Sequence, residues 1–243
     1  MKPFLLLATR DHDGAADDEY DAVRQFTGLE PDQLHRIRVE SEPLGVIDLD
    51  QYSGILLGGS QFTASDGAKS EHQVRVEADL RRMIDEVIER DFPFLGMCYG
   101  VGVVTSALGG IVDATYAEIT GAVWIKVTEA GLADPILAGA PDQFEAFVGH
   151  KEACTLPPPG AIILATGDAC PVQMYRIKNN IYVTQFHPEL DADRLVFRMT
   201  LYVNNGYFPA EELDHYLAEV RASGVVENAN LVLRNFVERF ARP

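Results

Sequence analysis

The first 110 residues alternate between two kinds of segment, and this alternation restricts the fold more than any other feature. Short strand-like runs fall at residues 3–9, 34–39, 52–57 and 92–96, the third ending at Gly58-Gly59-Ser60. Between them lie longer stretches at 17–27, 71–90 and 98–108. A run that is apolar at nearly every position suits a strand covered on both faces. The stretch 71–90 instead places Val74, Leu80, Met83, Ile84, Val87 and Ile88 at helical spacing with charges between them. Strands alternating with helices imply a parallel sheet with helices on both of its faces.

The pattern changes after residue 110. Strand candidates at 122–127, 143–149, 161–166, 172–176 and 181–185 are separated by turn residues, including Pro157-Pro158-Pro159-Gly160 and Asn179-Asn180. Three helical stretches follow, at 192–205, 209–223 and 226–241, with Gly206 and Gly224 where helix ends would need them. The expected fold is α/β: a mostly parallel central sheet with helices on both faces, a small antiparallel flap and a C-terminal helical extension. Residues 1–190 are expected to form the main domain, and 191–243 an extension packed on it. Leu231, Leu233, Phe236, Val237 and Phe240 supply an apolar face for that packing; a homodimer interface is the other use considered for it.

Composition removes several alternatives. The chain has 37 acidic and 20 basic residues, a formal charge of −17, which opposes nucleic-acid binding because that needs clustered cations. No apolar run approaches the length of a membrane span. The apolar start is too short for a leader, and Arg10-Asp11-His12-Asp13 follows it without a small-residue cleavage site, so it reads as a buried first strand. Three cysteines do not make a disulfide framework, which points to a reduced, cytoplasmic compartment. No Cys-x-x-Cys or His-x-x-x-His pair suggests a metal, and no cofactor is expected. The cluster Asp11, Asp13, Asp17, Asp18, Glu19 and Asp21 reads as a solvated loop and helix start. The net acidity is assigned to solubility or to a basic partner surface.

One segment carries chemistry. In Phe94-Leu95-Gly96-Met97-Cys98-Tyr99-Gly100 an apolar strand runs into Gly-x-Cys-x-Gly and a helix begins at once. This is the pattern of a nucleophile elbow with sulfur as the attacking atom. Glycines allow the tight turn, and the positive end of the helix favours a thiolate. A lone cysteine is often a small buried hydrophobe. Here a proton carrier and its orienting group are also present, in Gln185-Phe186-His187-Pro188-Glu189. His187 follows a strand, and Glu189 is placed to fix its tautomer. Gly58-Gly59 ends another strand, and the Gly59 N–H with that of Tyr99 would form an oxyanion hole.

Gly58-Gly59, Gly96-Met97-Cys98-Tyr99-Gly100 and Gln185-Phe186-His187-Pro188-Glu189, in that order, resemble the class I (triad) glutamine amidotransferases. Asp142-Gln143-Phe144-Glu145, Val148-Gly149-His150-Lys151-Glu152 and Cys170-Pro171-Val172-Gln173 resemble the amidotransferase domain of GMP synthase and its stand-alone relatives. The similarity is good over about residues 40–190. It implies the flavodoxin-like fold of that family and a reaction: Cys98 attacks the side-chain amide of glutamine, His187 protonates the departing ammonia, Glu189 orients His187, and water releases glutamate from a thioester. Gly58, Gly149 and His150 are the implied substrate-binding positions.

Two departures matter. Many family members carry Gln four residues after the nucleophile, where Gly102 stands, and the Glu-Ile-Gly turn reads Glu118-Ile119-Thr120. If a polar contact is missing at Gly102, Gly102→Gln is expected to lower the KM for glutamine. The departure also opens a second function, hydrolysis or transfer of other γ-glutamyl amides by the same triad. A third is a catalytically idle relative that binds a ligand or partner. No Ser-Gly-Gly-x-Asp-Ser or Gly-x-x-x-x-Gly-Lys-Ser/Thr nucleotide loop occurs, so ammonia would pass to a synthetase subunit, to another acceptor chain or to solvent.

Overall fold

The computed structural model describes residues 1–224 and 226–243. In chain order the elements are β1 (Phe4–Thr9), α1 (Asp13–Thr27), β2 (Leu34–Arg38), β3 (Ile55–Ser60), α2 (Glu71–Arg90), β4 (Phe94–Met97), α3 (Tyr99–Ala107), β5 (Ile111–Asp113), β6 (Glu118–Val127) and α4 (Glu129–Leu132). Then come β7 (Gln143–His150), β8 (Ala153–Leu156), β9 (Ile162–Gly167), β10 (Met174–Ile177), β11 (Ile181–Thr184), α5 (Ala192–Leu201), α6 (Leu213–Ala222) and α7 (Glu227–Phe240).

Nine strands form one sheet in the order β2-β1-β3-β4-β11-β10-β9-β6-β7. The five from β2 to β11 are parallel to one another, and β1, β3, β4 and β11 are buried at every position. This is why they read as unbroken apolar runs. β10, β9, β6 and β7 continue the same sheet in antiparallel fashion, while β5 and β8 pair as a separate two-stranded piece. Most of the later strand candidates therefore extend the central sheet. β5 and β8 carry no period in the sequence because they span only three and four residues.

Register brings the sequence motifs to one edge. Gly96 of β4 pairs with Leu57 of β3 on one side and with Val183 of β11 on the other. The chain leaves all three strands in the same direction, so Gly58-Gly59, Cys98 and Gln185–His187 arise side by side at the carboxyl ends of parallel strands. In open α/β sheets, ligands bind at that edge.

Two apolar layers hold the helices to the sheet. On one face Phe4, Leu6 and Tyr182 meet Val232, Leu233, Phe236 and Phe240 of α7. On the other, Leu5, Leu7 and Leu57 meet α2 and α3. Each such fully buried side chain contributes about 1.5–3 kcal/mol. Leu231 is only partly buried, and the inward face of α7 is Ala229, Val232, Leu233, Phe236, Val237 and Phe240. That face is spent inside the chain, so it does not supply a dimer surface. α5 and α6 form a third cluster in which Leu190, Leu195, Met199 and Phe208 pack near Phe147 of β7. No helix among the described residues is long and apolar enough to cross a membrane.

Candidate active site

Cys98 sits between β4 and α3 with φ 51° and ψ −88°. A residue with a Cβ held there costs about 1–3 kcal/mol, so the surroundings must impose it. They do so through the Cys98 N–H, which donates to Thr184 O of β11 at 2.7 Å. Gly96 supplies the other condition: a Cβ there would lie 2.9 Å from Gly100 Cα and 3.0 Å from Phe94 Cε1. Gly100 itself is less crowded, since its nearest neighbour for a Cβ is Leu57 Cδ2 at 3.8 Å. The N–H of Tyr99 opens α3 and belongs to the first-turn donors that a helix leaves unpaired.

His187 follows β11 and its N–H donates to Phe147 O at 2.9 Å. Its Nδ1 donates to Glu189 Oε1 at 2.8 Å, and the other side of the ring faces the Cys98 thiol. Burial by itself disfavours the imidazolium. Glu189, and then Cys98, outweigh it and push His187 up to about 9. Burial likewise works against the Glu189 carboxylate. His187 and Arg198 overcome this and hold it well below the usual carboxylate range.

Arg198 of α5 donates from Nη1 to Glu189 Oε1 at 2.7 Å and lies 3.6 Å through Nε from Asp18 Oδ2. The sequence reading missed this residue. Nothing local marks it, because it reaches the triad from a separate helix, α5. A second buried pair, Arg10 Nε to Glu19 Oε1 at 2.8 Å, lies beside it. The acidic cluster is thus not wholly solvated: Glu19 is fully buried and Asp18 mostly so.

Glu19 changes the reading of the glycine pair. The Gly59 N–H donates to Glu19 Oε1 at 3.1 Å, so in this conformation it is turned toward α1 and not free for an oxyanion. A buried carboxylate needs donors, and this one takes Arg10 and the Gly59 peptide. Gly58 is packed even more tightly, since a Cβ there would stand 2.1 Å from Glu19 Oε2. It does not line either recess beside Cys98.

Those two recesses differ. One is lined by Cys98, Tyr99, Gly102, Gly149, Glu152 and Gln185. The other, the larger of the two, is lined by Cys98, His187, Arg10 and Arg198 together with Leu190, Leu195, Met199 and Phe208. Gly149 borders both, and Tyr207 stands between them. A Cβ on Gly149 would meet Thr120 Oγ1 at 2.6 Å, so the Thr in the altered turn is accommodated by the glycine opposite.

The space at Gly102 is not vacant. A Cβ there would lie 2.9 Å from Ala64 Cβ and 3.1 Å from Glu152 Oε1. The Glu152 carboxylate accepts from the N–H groups of Ala64 and Ser65, each at 2.7 Å. It fills the place where a longer side chain would enter, which overturns the expectation of a missing contact. His150 is almost fully buried. Its Nδ1 meets Glu152 O at 3.0 Å and its Nε2 meets Glu118 Oε2 at 2.8 Å. Gln173 Nε2 also donates to Glu118 Oε2, at 2.7 Å. The ring is engaged on both sides and anchors the 149–152 segment. Cys170 lies within 4.8 Å of the Glu118 and His150 ligand atoms, a grouping that could hold a metal ion. Burial pushes its thiol up to about 12, which opposes the thiolate that a metal would take.

Comparison with known proteins places this arrangement. Solved structures share the fold over nearly the whole chain. A glutamine amidotransferase from Thermotoga maritima superposes with a TM-score of 0.73 at 18% identity, covering 99% of this chain and 98% of its own. One from Methylobacillus flagellatus gives 0.70 at 19%, covering 100% and 97%. The fold class is therefore that of the glutamine amidotransferases. A family model described as glutamine amidotransferase class-I matches residues 33–195, and the chain belongs to that family. Among its relatives, the glutamine-hydrolysing GMP synthase of Streptomyces avermitilis is 31% identical over 137 residues, 56% of this chain but only 23% of that protein. A single subunit of the glutamine-hydrolysing GMP synthase of Methanoregula boonei is 28% identical over 141 residues, 58% of this chain and 67% of its own.

Proposed function

We propose that the chain hydrolyses the side-chain amide of glutamine, or of a γ-glutamyl compound, through a thioester on Cys98. The single observation that carries this reading is the strained Cys98 backbone at a strand-to-helix junction, facing a buried His187–Glu189 pair. The thiolate attacks the amide carbon. Tyr99 N–H receives the developing oxyanion, and the Gly59 peptide joins it after turning away from Glu19, a rotation that glycine permits. His187 delivers its proton to the departing nitrogen, and Glu189 holds the ring in place. His187 then takes a proton from water as it attacks the thioester. Gly149 borders the substrate space, and His150 keeps that segment in position.

Membership of the amidotransferase family supports this reaction, and so does the naming of relatives as glutamine-hydrolysing. A relative named as one subunit of a GMP synthase supports a separate synthetase chain as ammonia acceptor. Three free cysteines are in keeping with a cytoplasmic setting.

The test is release of glutamate and ammonia from glutamine, beside Cys98→Ala. Trapping with an electrophilic glutamine analogue is expected to modify Cys98 alone. Cys154 and Cys170 are buried, and burial pushes both thiols up. Hydrolysis that survives Cys98→Ala, or label on either buried cysteine, refutes the assignment.

A further inference from the structure

We propose that the recess on the His187 side of Cys98 receives the leaving amine, and that the preferred substrate is a γ-glutamyl amide whose nitrogen carries an aliphatic or aromatic group. This rests on the reading of Cys98, His187 and Glu189 given above.

The argument begins with which recess His187 borders. It lines the larger one and not the smaller. The group that protonates the departing nitrogen must face it, so the leaving group lies in the larger recess and the glutamyl part in the smaller. The wall opposite His187 comes from the C-terminal extension and is apolar: Leu195, Met199 and Phe208, with Leu190 just before α5. Ammonia gains nothing from such a wall, whereas an alkyl or aryl group gains by leaving water. Two guanidinium groups border the same recess: Arg10 is paired with Glu19, while Arg198 shares Glu189 Oε1 with His187 and keeps Nε and Nη2 without a hydrogen-bond partner.

The chemistry balances as in the parent reaction. The Cys98 Sγ–carbon bond forms as the carbon–nitrogen bond breaks, and the His187 proton moves to the nitrogen to release a free primary amine. Water then cleaves the thioester to glutamate and restores the thiol.

The experiment measures kcat/KM of the full chain for glutamine and for the γ-glutamyl methyl-, ethyl-, propyl- and butylamides. The expected result is a rise of about fourfold per added methylene until the recess is filled. Met199→Trp and the milder Leu195→Phe should each flatten the series. Values that fall from glutamine through the butylamide, with Cys98→Ala inactive on glutamine, overturn the inference and leave the triad standing. A series that neither substitution alters overturns it as well. Glutamate release that persists in Cys98→Ala, or no hydrolysis of any compound, removes the triad reading and the inference together.

Discussion

Glu189→Gln keeps the shape of the side chain and removes its charge from the centre of a buried network. His187 rises from an ordinary 6.5 to about 9, with Glu189 the largest favourable influence. A displacement of that size corresponds to about 3 kcal/mol of interaction in the folded state. Arg198 also loses its 2.7 Å partner and keeps only the longer approach to Asp18. Breaking one member of a buried charged set costs about 3–5 kcal/mol, so the variant should be destabilised by that amount near pH 6.5. The sign of the pH dependence follows from the direction of the displacement. A histidine whose folded value is raised stabilises the fold fully below 6.5, and that contribution is lost as pH rises through about 9. Urea unfolding at intervals from pH 6 to pH 10 gives the check. The wild-type and variant curves should converge across that window, leaving above it the part due to Arg198. Parallel curves, or a variant as stable as wild type at pH 6.5, refute the coupling. The same substitution should lower the hydrolysis rate by about 10³–10⁴, because the imidazole loses its orienting partner.

Two further outcomes are expected. Gly102→Gln should raise the glutamine KM and destabilise the fold by about 1–3 kcal/mol, because the new side chain meets Ala64 and Glu152; steady-state kinetics and thermal melting check both. Cys98→Gly should be more stable than Cys98→Ala by about 1 kcal/mol in denaturant titrations, since only glycine is relieved of the strain at φ 51°.

Arg198, Arg10 and the C-terminal wall of the site change how the molecule is understood. Helix α5 contributes Arg198 to the triad's electrostatics, and Leu195 and Met199, with Phe208 after it, to the recess beside it. Glu19 adds a second control, because its hold on the Gly59 N–H must be released before that peptide can serve an oxyanion.

The sequence alone determined the features that depend on neighbours along the chain. The apolar runs of β1, β3, β4 and β11 announce strands buried on both faces. Helix α2 was readable to its ends at Glu71 and Arg90, since its spacing is regular and Ser70 caps it. The elbow around Cys98 and the pair His187 and Glu189 were legible because each lies within a few residues of its own motif. What only the tertiary structure decided are contacts between distant segments. The continuation of the sheet from β10 to β7 depends on register between strands, and a short strand does not specify its partner. The inward turn of Gly59, the filling of Gly102 by Glu152 and the burial of Glu19 with Arg10 are likewise set by packing across the sheet edge. A charge cluster near residue 19 looks the same in sequence whether solvent or an arginine meets it. Burial separates the two cases, because an unpaired carboxylate costs too much to leave in the interior.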